Sequence, residues 1–350
     1  MINGGGDFHM WQVKNRTPYA VKHSWIRGRC GEEIWTVALK ATFDVLPDGT
    51  TQLSSPQLPV NAGPVLNSGS ETLLYDADLG PVKNATDIIL NGCAVSPDSS
   101  KVTFVPVGLR VGKMIRLARV YGDRIWDGKR YGEPEPFNLM PLVYSKMSQG
   151  DFLPSTRDNF NPAGISVDTQ PQAGKSKLPN IEFYGDDQTP GFGALHRHWP
   201  GRLQFAGTYD EKWQQEQAPL LPDDLDDRYW QCAPPPLYAG NRLKGGEVVC
   251  LGNLAPPGYG HNGLLIFALP RIVPSFRTQF YDGSVRYHQG KLHSVIIESD
   301  FPRVSLVWHS ALPCHHLVNQ LESTTVSEKK RLFIRSTRLP VSFPEWEQLL

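Results

Sequence analysis

The chain has 350 residues, of which 35 are basic and 35 acidic, so its net charge is zero. That balance excludes nucleic acid as the main partner and excludes a polybasic membrane-surface role, because both need an excess of Lys and Arg. The length suits one large domain or two ordinary ones, with enough buried surface to need no disulfide or metal, and the 32 Gly and 30 Pro disfavour a mainly helical fold.

The first strong pattern runs from Ile34 to Leu46. Trp35, Val37, Leu39, Ala41, Phe43 and Val45 alternate with Thr36, Ala38, Lys40, Thr42 and Asp44, which predicts a half-buried strand. Pro47-Asp48-Gly49 supplies turn chemistry, and Thr50 to Leu53 is expected to return as a hairpin partner. Ile88 to Val95 reads as the next strand, and Val102 to Val107 with Met114 to Val120 as a hairpin around Gly108 to Gly112. From Trp126 to Leu203 the texture is irregular and rich in Pro, Gly, Asn, Asp and Gln, yet it holds Phe137, Tyr144, Phe152, Phe160, Phe183, Tyr184, Phe192 and Trp199. Disordered tracts are poor in aromatics, so this segment is expected to wrap on a sheet.

Two short helices follow, one over Glu211 to Gln217 capped by Asp210 and one ending near Trp230 capped by Asp223 or Asp224. Strand texture then resumes over Glu247–Leu254, Gly263–Ile272, Phe276–Tyr281, Val285–His288, Leu292–Glu298 and Arg303–His309. Pro313 to Glu322 is expected to form a helix and Arg331 to Ser336 a last strand. These elements predict a mainly β fold, with two packed antiparallel, sandwich-like sheet regions over 1–125 and 236–350. A loop-rich segment with short helices, 126–235, bridges them within a single folded unit spanning 1–350.

The five cysteines, at 30, 93, 232, 250 and 314, contain no CxxC pair and read as free thiols of a reducing compartment. The first residues, MINGGGDFHMWQV, lack a basic stretch leading into an apolar run, and the longest apolar run, Leu264 to Pro270, falls far short of the ~20 residues of a membrane span. A cytoplasmic location is therefore expected.

Motifs for chemistry are weak. Thr169 to Ser176 approaches a phosphate loop but lacks its first glycine and runs into Leu178-Pro179. His196 with His198, and Cys314 with His315, His316 and His309, are metal-like only in composition. Carboxylates pair at Asp76/Asp78, at Asp186/Asp187 and at Asp223/Asp224/Asp226/Asp227. With nine tryptophans they raise a carbohydrate-active hydrolase as the rival reading, which requires two carboxyl groups facing across a cleft. Adjacent aspartates beside Gly and Pro are more often turn and cap residues. No nucleophile elbow is present. The reading is of a chain with no catalytic residue, cofactor or metal.

Several blocks nevertheless carry a resemblance. They are IWTVALKATFDVL (34–46), YDADLGPVKNATDIIL (75–90), VYGDRIW (120–126), FNLMPLVY (137–144), GFGALHRHWPGR with AGTYDEKW and PLLPDDLDDRYWQCAPP (191–235), RLKGGEVVCLGNL (242–254) and VIIESDFPRVSLVW (295–308). In order and over nearly the whole chain, they resemble the bacterial domain-of-unknown-function family 2169. His309 stands where that family commonly has arginine, and His293 where an aspartate is common. The family occurs in type VI secretion gene clusters, and its members are taken to be adaptors or chaperones that load an effector onto the spike protein. The resemblance thus implies a cytoplasmic, non-enzymatic adaptor whose partners are an effector and a spike, with a structural part of the spike itself as a third reading. If the 191–230 blocks form a partner site, Arg197, Trp199, Tyr209 and Trp213 are its hot-spot types. Trp199 and Trp213 are expected to brace the chain, with Arg197 stacking on Trp199 and reaching a partner.

Overall fold

The computed structural model describes residues 10–69, 72–127, 130–149, 151–153, 156–166, 176–184, 190–238, 242–329, 339 and 343–348. The fold is mainly β. Its principal strands are β1 (Gln12–Asn15), β2 (Ala20–Arg27), β3 (Glu33–Val45), β4 (Thr51–Leu53), β5 (Asp87–Asn91), β6 (Phe104–Val111), β7 (Met114–Tyr121) and β8 (Ile181–Phe183). The later ones are β9 (Val248–Gly252), β10 (Leu264–Ala268), β11 (Pro274–Phe280), β12 (Val285–Gln289), β13 (Lys291–Glu298), β14 (Arg303–Pro313) and β15 (Leu321–Glu328).

Three sheets are built from these. A six-stranded sheet runs β2-β3-β14-β13-β5, with β4 also on β3; a five-stranded sheet runs β8-β7-β6-β9-β10; a four-stranded sheet runs β1-β15-β11-β12. Most pairings are antiparallel, but β5 lies parallel to β13 and β1 parallel to β15. Every sheet combines strands from the first and the last thirds of the chain, so the two β regions read from the sequence interlock rather than sit side by side. The main apolar core, from Trp35 on β3 to Phe276 on β11 and Val249 on β9, runs through all three.

Strand β3 departs from the half-buried expectation. It is buried on both faces, including Thr36, Lys40 and Thr42. Burial of such groups is tolerable only with partners. Thr36 donates to the Ser24 carbonyl at 2.9 Å, Thr42 shares a 2.9 Å hydrogen bond with Ser305, and Lys40 meets Asp78 at 3.1 Å.

The hairpin at β6 and β7 turns at Gly112-Lys113 rather than around Gly108, which lies inside β6 directly opposite Leu117. Ile88–Val95 divides into β5 and a short strand Cys93–Val95. The irregular middle of the chain wraps on the sheets through six of the eight aromatics named for it: Phe137, Tyr144, Phe160, Phe183, Phe192 and Trp199 are buried in the core, Tyr184 is half-buried under Arg119, and the Phe152 side chain lies outside the described ones.

Helix α1 spans Pro200–Leu203 and α2 spans Glu211–Glu216. Asp210 caps α2 as expected, accepting from the Trp213 backbone N–H at 2.8 Å. The following 3-10 turn, Asp227–Trp230, is capped by Asp226 instead of Asp223 or Asp224. Asp224 is drawn away by Thr208, which donates both its backbone N–H and its hydroxyl to it. The helix expected over 313–322 is a 3-10 stretch, His315–Gln320, because β14 continues through Pro313. The 331–336 strand and the 169–175 part of the phosphate-loop segment lie outside the described residues. No helix among the described residues is long and apolar enough to cross a membrane.

Candidate partner interface

The block Tyr75–Asp87 acts as a row of buried anchors. Tyr75 donates to Glu298, which is also held by Arg303. Asp76 accepts from Arg202 at 2.8 Å and from Arg197 at 3.3 Å. Asp78 accepts from Lys40 and from the Asn61 backbone N–H at 2.7 Å. Lys83 reaches Asp87 at 2.6 Å and the Ser294 hydroxyl at 3.2 Å. Asp87 in turn accepts from the Gln231 amide at 2.9 Å and from the backbone N–H groups of Cys232 and Ala233 at 3.0 and 3.2 Å.

Two of these anchors fasten one arm of the chain, residues 195–233. At its start, Arg202 is 1% exposed and its guanidinium makes four hydrogen bonds: it donates to Asp76, to the Leu195 carbonyl at 3.0 Å, and twice to the Tyr229 carbonyl at 3.0 and 2.9 Å. At its end, Asp87 holds 231–233. The several charge-assisted hydrogen bonds at each end offset the cost of burying the charges.

Burial pushes Asp76 upward, but the Arg202, Arg197 and Lys83 charges outweigh it and hold the carboxyl below the ordinary aspartate range. For Asp78 burial outweighs Lys40, and its pKa is raised. Burial also works against the Lys83 charge, yet Asp87 leads a set of neighbours that raise its pKa. Burial, reinforced by Asp87, raises the Cys232 thiol and disfavours its thiolate.

The approach to the arm needs Gly191. It has φ +134°, and a Cβ there would lie 2.4 Å from the Tyr144 hydroxyl. That hydroxyl donates to the Gly193 carbonyl at 2.8 Å. The Tyr144 ring meets Trp199 edge-on at 5.0 Å, and Trp199 is 8% exposed. Arg197 turns to Asp76 rather than to the Trp199 ring, and its side chain is 35% exposed.

Farther along, Tyr209 and Trp213 meet edge-on at 4.7 Å. Trp213 is half-buried and donates its indole N–H to the Leu220 carbonyl at 2.9 Å, whereas Tyr209 is 53% exposed. The four sequence-named residues thus fall into two groups on one arm, one around Asp76 and Tyr144 and one around α2. Leu203, at the end of α1, is also exposed, and Arg228 covers the Phe205 ring at 4.2 Å. The outcome is an arm that exposes Tyr209 and Leu203 and is held at its two ends by buried ion pairs and hydrogen bonds. Arg202 and Asp87, which do the fixing, were not singled out from the sequence. The available signals were an arginine directly after the Pro-Gly that starts a short helix, and an aspartate abutting the apolar run Ile88–Leu90.

The carboxylate pairs required by a hydrolase are engaged elsewhere. Asp76 and Asp78 are buried in separate ion pairs, Asp226 holds Arg228, and Asp227 holds Arg29 at 2.6 Å. Asp186 and Asp187 lie outside the described residues. A cleft of about 390 Å³ between the 72–75 segment, the end of β5 and the β13–β14 turn contains Glu298 and Asp300. Glu298 is taken by Arg303 and Tyr75, and Asp300 accepts from the Cys93 backbone N–H at 2.9 Å. No tryptophan is among the exposed large side chains. His196 and His198 lie with ring centres 5.1 Å apart, and no group of three His, Cys, Asp or Glu among the described residues is arranged to hold a metal. None of the five cysteines takes part in a disulfide.

No curated protein and no solved structure matches this chain. Residues 30–309, which span the Tyr75–Asp87 anchors, the arm and most of the three sheets, match the pattern described as an uncharacterized protein conserved in bacteria; the chain belongs to that family, domain of unknown function 2169.

Proposed function

We propose that this protein is a non-enzymatic adaptor, or chaperone, that holds a type VI secretion effector in the cytoplasm and presents it to the spike protein. The observation that carries the reading is the arm at 195–233: a rigid frame that leaves Leu203 and Tyr209 exposed on a surface built from aromatic side chains. Rigid aromatic groups on a preorganised backbone make economical protein-binding anchors, because little entropy remains to be lost on association. An adaptor needs a second surface. Strand β12 ends the four-stranded sheet with Tyr287 74% exposed and no described strand on its outer side, which suits strand addition by a partner.

The rival hydrolase reading loses support because the carboxylates of the 390 Å³ cleft are committed to Arg303, Tyr75 and the Cys93 backbone. The test is co-expression of the tagged chain with the effector and spike encoded beside it, followed by affinity capture. Retention of the effector by the wild-type chain, and its loss with Tyr209→Ala, is expected. Capture of neither protein by a folded wild-type chain would remove the adaptor reading.

A further inference from the structure

We propose that the outer face of the five-stranded sheet is a docking groove for a peptide presenting two aromatic side chains three residues apart, and that the chain's own Phe343–Trp346 segment occupies it in the free protein. The groove follows from strand register. Leu117 on β7 pairs with Gly108 on β6, Gly108 with Gly252 on β9, and Gly252 with Leu264 on β10. That cross-strand row reads large, glycine, glycine, large. Glycine weakens a strand interior, and two in register at the centre of a sheet leave a trough where side chains would stand.

Trp346 fills the trough. A Cβ on Gly252 would lie 2.6 Å from its Cδ2, and one on Gly108 would lie 3.0 Å from its Cε3 and 3.2 Å from Phe343 Cε1. The next row places Arg110 opposite Cys250. The Arg110 guanidinium lies 5.8 Å from the centre of the Phe343 ring. Phe343 and Trp346 are 0% and 1% exposed, and a single turn, Pro344–Glu347, sets their spacing. With Cys250 they form an apolar cluster of their own, separate from the main core.

Two features mark this as an occupied site rather than an extension of that core. The contact is a distinct cluster on the far side of the sheet. The family match, residues 30–309, contains the whole floor of the trough and none of the segment that fills it. Residues 330–342 join β15 to that segment, so it is covalently held near its groove and competes with any free peptide. The inference goes beyond the adaptor reading and fails separately from it, since capture of an effector by the arm does not need the groove.

The experiment uses the full chain and a fluorescein-labelled synthetic peptide of residues 339–350, LPVSFPEWEQLL. Binding is read by anisotropy against the wild type and the Phe343→Ala/Trp346→Ala variant. Removing the tethered competitor is expected to tighten peptide binding by roughly tenfold or more. A peptide carrying the same two alanines should not bind. Gly252→Val, which fills the trough, should abolish binding in the double-alanine background. Equal binding to wild type and double variant, or no saturable binding to a double variant that still unfolds cooperatively, would overturn the proposal. Loss of cooperative unfolding in the double variant would overturn it too, by making the segment an obligatory part of the fold. So would a wild-type dimer that the double variant dissociates, which would assign the groove to a second copy.

Discussion

Replacing Arg202 by alanine tests the arm most directly. The guanidinium makes four hydrogen bonds, one to a buried carboxylate and three to backbone carbonyls, and is 1% exposed. Removing it leaves Asp76 buried with the Ala77 backbone N–H at 2.8 Å and, as its one ion-pair partner, Arg197, which is farther away at 3.3 Å and partly exposed. Breaking a buried pair in this way typically costs about 3–5 kcal/mol. At roughly 2.1 cal/mol/K of unfolding entropy per residue, 1 kcal/mol shifts the melting temperature of a chain this size by only ~1.4 °C, so the expected drop is about 4–7 °C. Arg197→Ala removes the longer, exposed pair and is expected to cost ~0.2–1 kcal/mol, or about 1 °C. The assay is calorimetry of both variants beside the wild type. Arg202→Ala/Asp76→Asn should recover part of the loss, because the stranded charge is gone. Equal melting temperatures for Arg202→Ala and Arg197→Ala, or no recovery in the double variant, would refute the claim that the Arg202–Asp76 pair fastens the arm.

Tyr209→Ala should leave the melting temperature within about 1 °C of wild type while weakening effector capture by ~2 kcal/mol, some thirtyfold, whereas Trp199→Ala should cost about 3–5 kcal/mol of stability, read by the same two assays. The stacked pair His293 and His309, rings 4.5 Å apart, is buried, and burial lowers both pKa values, that of His309 to about 3; His288 falls to about 4 for the same reason. Lys83, Arg242 and Lys291 add positive charge around the pair. Their folded values lie below the unfolded one, so this stability is complete above about pH 6.5 and is lost as pH falls toward 3, at up to ~1.4 kcal/mol per unit for each histidine. Denaturant unfolding across that range should show the slope, and His309→Gln should reduce it; a flat profile would contradict the burial of neutral imidazoles. Native thiol titration should label Cys30 fastest, because it is exposed while Cys232, Cys250 and Cys314 are buried, and rapid labelling of all five would contradict the packing.

What the sequence made legible was whatever depends on short range. The 34–46 alternation located β3 within a residue, and Asp210 was correctly placed as a cap because capping is decided within three residues. Pairing across the chain was not legible: nothing local in Trp35 announces that its indole N–H donates to Thr324, nor in Asp87 that it holds 231–233. Gly108 shows the difference most clearly. Locally it reads as a turn residue, yet it sits inside β6 because the trough it shares with Gly252 must admit Trp346, more than two hundred residues away in the chain.

The same distinction governs the candidate site. Residue type suggested Arg197, Trp199, Tyr209 and Trp213, but only burial separates those that hold the arm from those that face solvent. Trp199 is 8% exposed against Tyr144, while Tyr209 is 53% exposed beside a Trp213 whose indole is already engaged. A buried aromatic is committed to the fold, and a half-exposed one on a fixed backbone still has apolar area to offer a partner. The buried ion pairs at Asp76 and Asp87 hold the two ends of the arm, and Tyr209 and Leu203 stay exposed between them; on the adaptor reading proposed above, that is how the frame would serve a partner.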